Sequence, residues 1–174
     1  MRARRRFLGF VVRVGLLGFV LAAGVLGAAG CAHEEYFVGT TIPRTEQNRK
    51  IIETIEQYRQ RLLARNIEGL LVLASDKYFE DSGTPRSDDD YGYDGLKQVL
   101  ANQLKRVKSM RYEIEYRTIK VTGSDDAKKA EVEVFLDGSF ELAAEAGDRY
   151  RRVNDYHHFV LEQKGEEWKF LSGM

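Results

Sequence analysis

An α+β domain, with three N-terminal helices packed on a strongly curved antiparallel sheet, is the fold class that residues 44–174 predict. Three observations carry it. Apolar residues recur with helical period in three separate segments before residue 108. They then alternate with period two along three long runs, one of which, 150–163, would span roughly 46 Å at about 3.3 Å per residue, far beyond an ordinary strand. The alternation changes phase near Arg117 and meets a glycine at Gly138, so these strands must bend.

The first helix, 44–64, is the element the rest of the chain has to cover. Ile51, Ile55, Tyr58 and Leu62 recur at steps of four, three and four, and Ile52 and Leu63 widen the stripe. Glu53, Glu56, Gln60 and Arg61 form the other face. Such a helix is roughly 30 Å long and is not stable alone in water. Thr41 and Thr45 are its candidate caps. Arg65-Asn66 ends it, Asn66 being suited both to left-handed geometry and to capping a second helix lined by Ile67, Leu70, Leu71 and Ala74. Tyr78 and Phe79 open a short strand. Residues 81–93 carry Gly83, Pro85, Gly92 and the run Asp88, Asp89, Asp90, the composition of a loop enclosing a brief strand. Asp94 is the candidate cap of a third helix whose inner side is Leu96, Val99, Leu100, Leu104 and Val107.

The first long strand alternates through Met110, Tyr112, Ile114 and Tyr116, then continues in the other phase at Ile119 and Val121, the mark of an inserted bulge residue near Arg117. Residues 122–126 turn the chain. Ala130, Val132, Val134, Leu136, Phe140 and Leu142 hold one phase on the second strand, bent at Gly138. Ala146, Gly147 and Asp148 turn it again into the third, and Gly165 leads to a final strand with Trp168 and Phe170 facing the core. The outer face of the sheet is charged through Arg111, Glu113, Glu115, Arg117, Glu131, Glu133 and Glu141, with Phe135 the exception. A face so polar lacks the apolar centre of an obligate interface, which leaves a weak homodimer as the most that it supports.

This order of elements resembles the nuclear transport factor 2-like (NTF2-like, or SnoaL-like) superfamily. The resemblance runs from about Thr45 to the C-terminus and rests on Arg65-Asn66 between the first helices, Gly95-Leu96 opening the third, and Gly165-Glu166-Glu167-Trp168 before the last strand. It implies a cone-shaped fold wrapped around a pocket. Members of that superfamily include isomerases, dehydratases, cyclases and non-enzymatic binding domains, so the fold does not settle the function.

Residues 1–30 read as an export signal: Arg2, Arg4, Arg5 and Arg6, an apolar run from Phe7, and small residues up to Cys31. The chain has 27 Lys+Arg and 27 Asp+Glu; five of the basic residues lie in this segment, so 22 remain against 27 after its removal. That acidic balance disfavours nucleic-acid binding. Cys31 is the one cysteine and has no disulfide partner. Its place after Gly27, Ala28, Ala29 and Gly30 resembles the lipobox of bacterial lipoproteins, with Ala28 where leucine is usual. The resemblance implies acylation at Cys31 with palmitate-type chains, which hold a protein at a membrane when two or more are present. An uncleaved transmembrane helix over 7–29 is the alternative. Arg4-Arg5-Arg6-Phe7-Leu8 is similar to a twin-arginine export motif and equally fits an ordinary basic segment. Ala32 is not the Asp of an inner-membrane retention signal, so the outer membrane, facing the periplasm, is the expected address. Residues 31–43 read as the lipidated cysteine and a tether without period.

On the long strand 150–163, Val153, Asp155, His157, Phe159 and Leu161 share one face. Asp155 and His157 are therefore expected side by side in the pocket, where the carboxylate would orient the imidazole as a general acid or base. Tyr58, Tyr112 and Tyr116 are the expected further lining. The bland alternative is a satisfied polar pair on the pocket floor. His158 falls on the outer face, and adjacent histidines do not chelate one metal from one face. Asp88, Asp90 and Asp94 have part of a calcium-loop spacing, but Gly92 and Val99 stand where ligands are required, so no metal is expected. No phosphate-binding loop or nucleophile elbow is present and no cofactor is expected. Two functions fit: a non-catalytic envelope lipoprotein binding a small apolar ligand or an envelope protein partner, and a small pocket enzyme using Asp155 and His157 for proton transfer or dehydration.

Overall fold

The computed structural model describes residues 35–81, 88–124, 127–144 and 147–174. The export segment, Cys31, and Gly83, Pro85, Asp126 and Ala146 of the expected turns lie outside them. In order, the elements are α1 (Glu46–Leu63), α2 (Ile67–Leu73), β1 (Phe79–Glu80), β2 (Tyr91–Gly92), α3 (Tyr93–Leu104), β3 (Val107–Thr122), β4 (Lys129–Leu142), β5 (Arg149–Lys164) and β6 (Glu167–Ser172). β3 to β6 form one antiparallel sheet in chain order, and β1 and β2 pair separately. Among the described residues no helix is long and apolar enough to cross a membrane.

Thr45 caps α1, its hydroxyl accepting from the Asn48 amide at 3.1 Å. Ile51, Ile55, Tyr58 and Leu62 are buried as the period requires. The stripe widens toward Thr54 and not toward Ile52; the Thr54 hydroxyl satisfies itself on the Lys50 carbonyl at 3.0 Å. Between the helices the left-handed residue is Arg65, at φ 53°, and not Asn66. Asn66 instead accepts from the Gly69 amide at 2.9 Å, while Arg65 donates to the Val107 carbonyl at 2.7 Å. That long-range bond to the start of β3 offsets the cost of the strained backbone. Asp94 does not cap α3: the helix starts one residue earlier, Gly92 occupies the cap without a side-chain bond, and Asp94 sits in the first turn, where it favours the helix dipole.

Residues 35–43 are not a featureless tether. Tyr36 and Pro43 form a bridge, the Arg44 amide donates to the Glu35 carbonyl at 2.8 Å, the Asn48 side chain donates to the Pro43 carbonyl at 2.9 Å, and Ile42 is 3% exposed. A tight turn closed by local bonds has no apolar period, which is why pattern alone passed over it.

The β3 register slips between Tyr116 and Thr118, leaving Arg117 as the bulge that the phase change predicts. Gly138 lies opposite Tyr112, and a Cβ there would sit 3.1 Å from the Phe140 ring and 3.4 Å from the Tyr112 ring. Phe135, the outer-face exception, is covered by Tyr156 edge-on at 5.5 Å and by the Arg117 guanidinium at 5.8 Å. The long strands divide into two halves. The start of β4, the end of β5 and β6 supply Ala130, Val132, Val134, Phe159, Leu161, Trp168 and Phe170 to a core that Tyr58 joins, its ring 5.6 Å from Phe159 and 5.5 Å from Phe170. The other half, where β3 begins, β4 ends and β5 begins, lines a cavity instead.

Candidate functional site

That cavity holds about 500 Å³, within the range of sites for small organic ligands. α1 contributes Tyr58 and Leu62, and α3 contributes Val99, Leu100, Gln103 and Leu104. The sheet adds Met110 and Tyr112 from β3, Phe140 and Leu142 from β4, and Arg151, Val153 and His157 from β5. The exposed members, Gln103, Arg106 and Arg151, mark its mouth. Burial pushes the Tyr112 phenol up to about 12, with Tyr58 countering part of the shift. Burial, and then Tyr112, raises Tyr58 further. Both phenols therefore stay protonated at neutral pH and offer neutral hydrogen-bonding groups to whatever occupies the cavity.

The sequence-predicted residues separate here. Tyr58, Tyr112 and His157 line the cavity; Tyr116 and Asp155 do not. The Tyr116 hydroxyl donates to Glu56 at 2.9 Å, and burial followed by the Glu56 charge raises its pKa. Glu56, placed by period on the outer face of α1, is half-buried to receive it. Asp155 is exposed and accepts from the neighbouring Tyr156 amide at 2.8 Å. It makes no hydrogen bond to His157. Period two put both residues on one face, yet β6 pairs only with the end of β5, so the strand around Asp155 is a sheet edge open to water.

The imidazole has a different partner. Nε2 of His157 donates to the carbonyl of Gly173 at 2.7 Å. Gly173 and Met174 form part of the cavity wall, and the same segment is held twice more: the Gly173 amide donates to Glu80 at 2.7 Å and the Met174 amide to the Tyr78 hydroxyl at 3.0 Å. Tyr78 in turn donates to Glu80 at 3.0 Å. Gly173 has φ +92° and a Cβ on it would lie 2.4 Å from the His158 carbonyl, so only glycine fits. Glu80 and Tyr78 were missed by sequence reading, being more than ninety residues from their partners. The mouth residues Arg106 and Arg151 were missed too, although extending the alternation of β5 one step back from Val153 places Arg151 on the inner face.

Among the described residues no three His, Cys, Asp or Glu side chains come together as a metal site would require.

Comparison with protein-family models finds no match, and comparison with curated proteins finds none. Solved structures do match. A candidate scytalone dehydratase from Novosphingobium aromaticivorans has a TM-score of 0.56 at 15% identity, over 71% of this chain and 78% of that one. A candidate dehydratase of the NTF2-like family from Streptomyces avermitilis has a TM-score of 0.52 at 10% identity, over 72% and 92%. A ketosteroid isomerase-like protein from Erwinia carotovora has a TM-score of 0.52 at 18% identity, over 73% and 92%. At these identities the shared property is the fold, and the fold is NTF2-like: three helices on a curved four-stranded antiparallel sheet.

Proposed function

We propose that this chain is an envelope lipoprotein, anchored through acyl chains on Cys31 in the outer membrane and facing the periplasm, whose NTF2-like domain binds a small apolar ligand without turning it over. The observation that carries the binding part is the cavity: about 500 Å³, lined mostly by apolar side chains, with no Asp or Glu side chain on its wall among the described residues. Its imidazole is tied to a backbone carbonyl, and the carboxylate expected to orient that ring points elsewhere. Glu34–Met174 form a compact unit of their own, and among the described residues the core cluster runs from Ile51 onward, so this domain is expected to fold by itself. The test uses that domain and the fluorescence of N-phenylnaphthylamine, a neutral apolar probe. Saturable binding to the wild type, lost in Val99→Trp with the melting temperature kept, is the expected result. No saturable binding of this or any other apolar probe overturns the reading.

One observation favours a second reading. The His157 ring lies on the cavity wall, and some proteins with this fold are named as dehydratases or isomerase-like proteins. A substrate screen finding turnover that His157→Ala reduces by about a hundredfold would make this domain an acid-base enzyme.

A further inference from the structure

We infer that the ligand of this cavity is a small amphipathic acid, an apolar body ending in a carboxylate, whose head group is received by Arg106 and Arg151; this rests on the ligand-binding reading above. The cavity's charged side chains are these two arginines, both exposed at the mouth. Neither guanidinium makes a hydrogen bond or ion pair among the described residues. Of the other cations on the sheet, Lys108 pairs with Asp148 at 2.6 Å, Arg111 with Glu113 at 2.9 Å and Arg117 with Glu115 at 3.0 Å, while Lys120, Lys129 and Arg149 are unpaired among the described residues as well; what sets Arg106 and Arg151 apart is that they are unpaired and line the cavity.

The register brings the two together at one end of the sheet. The Arg106 carbonyl accepts from Ala143, just past the end of β4, and Arg151 lies opposite Phe140 near the same end. Lys105 and Arg149 are exposed there as well. Among the described residues the acidic groups nearby are engaged, Asp148 with Lys108 and Glu141 with the Ser109 hydroxyl at 2.8 Å. The chain as a whole is neutral at pH 7, so an excess of unpaired cations at this mouth is local placement and not a by-product of composition. A guanidinium meets a carboxylate through two parallel hydrogen bonds, which makes arginine the better receptor for a planar acid. Behind the mouth, Leu62, Leu100, Leu104, Met110 and Phe140 take the apolar body. A neutral apolar molecule would use the interior and leave the arginines idle; a nucleotide or sugar would use the arginines and leave the interior unfilled.

The experiment measures displacement of N-phenylnaphthylamine from residues 35–174 by decanoate and by decanol, which share a tail and differ in the head. It compares the wild type with Arg106→Gln/Arg151→Gln and with Arg106→Lys/Arg151→Lys. The glutamine pair should weaken decanoate by about tenfold or more and leave decanol within about twofold, while the lysine pair, which keeps the charge and loses the paired bonds, should fall between the wild type and the glutamine pair. Raising salt from about 50 to about 500 mM should weaken decanoate alone. If the glutamine pair weakens decanoate no more than decanol, the head-group assignment is overturned and ligand binding stands. If none of the three probes binds the wild type, the binding reading itself fails, and this inference with it. Both exchanged side chains are exposed, and unchanged melting temperatures confirm intact folding.

Discussion

The His157 imidazole and the Gly173 carbonyl, 2.7 Å apart, join the middle of β5 to the segment that closes the cavity wall. Removing that bond by His157→Ala should cost about 1–2 kcal/mol, since a half-buried hydrogen bond is lost and the Gly173 carbonyl is left to water. Binding of N-phenylnaphthylamine should weaken in parallel. Thermal melting and probe titration check both. An unchanged melting temperature would show that Glu80 and Tyr78 hold the segment without the histidine.

Among the described residues Glu162 is the one buried carboxylate, 8% exposed. Burial raises its pKa, but the bond from the Ser75 hydroxyl at 2.5 Å and the Lys77 ammonium at 3.2 Å outweigh that and leave it below the ordinary 4.5. A depressed folded-state pKa gives stability that is present above the unfolded value and is lost as pH falls through the folded one. Between about pH 5 and pH 3 the wild type should therefore lose more stability than Glu162→Gln does. Urea melts across that window measure the difference; parallel curves for the two proteins would contradict the assignment.

Ile42 is buried ahead of α1, although no apolar period announces it. Ile42→Ala should destabilise the domain by about 2 kcal/mol, the lower end for a buried aliphatic truncation. Starting the chain at Thr41 removes Tyr36 and Glu35 but keeps Ile42, so it should cost less than the substitution while leaving unfolding cooperative.

Cys31→Ser should move the protein from the membrane to the soluble fraction of a bacterium that processes lipoproteins, with loss of labelling by a palmitate analogue. Unchanged fractionation and size would favour an uncleaved helix over 7–29 as the anchor.

Much of the fold was legible because long period-two and helical runs leave little choice of face. The Arg117 bulge could be read from a phase change alone, and the helix cap was narrowed to Thr41 or Thr45, of which Thr45 is the one that accepts from Asn48. What period cannot supply is the identity of the layer that covers a face. Asp155 and His157 share an inner face, but β6 stops short of Asp155, and the partner of His157 lies sixteen residues on. Arg65 took the left-handed position over Asn66 because a bond to Val107, forty-two residues away, rewards it. Such long-range partners are invisible to local spacing, and the cavity is assembled largely from them.

β6 pairs with β5 only over residues 160–164, so the first eleven residues of β5 have no strand on that side among the described residues. A bare edge of such length, if it were valine and isoleucine throughout, would recruit the same edge of a second molecule and grow into an aggregate. Arg149, Arg151, Arg152 and Asp155 make that pairing costly, because an approaching copy must bring its own arginines against these. The charges that frame the cavity mouth thus also act as a guard rail, keeping crowded copies from zipping together along their open strands.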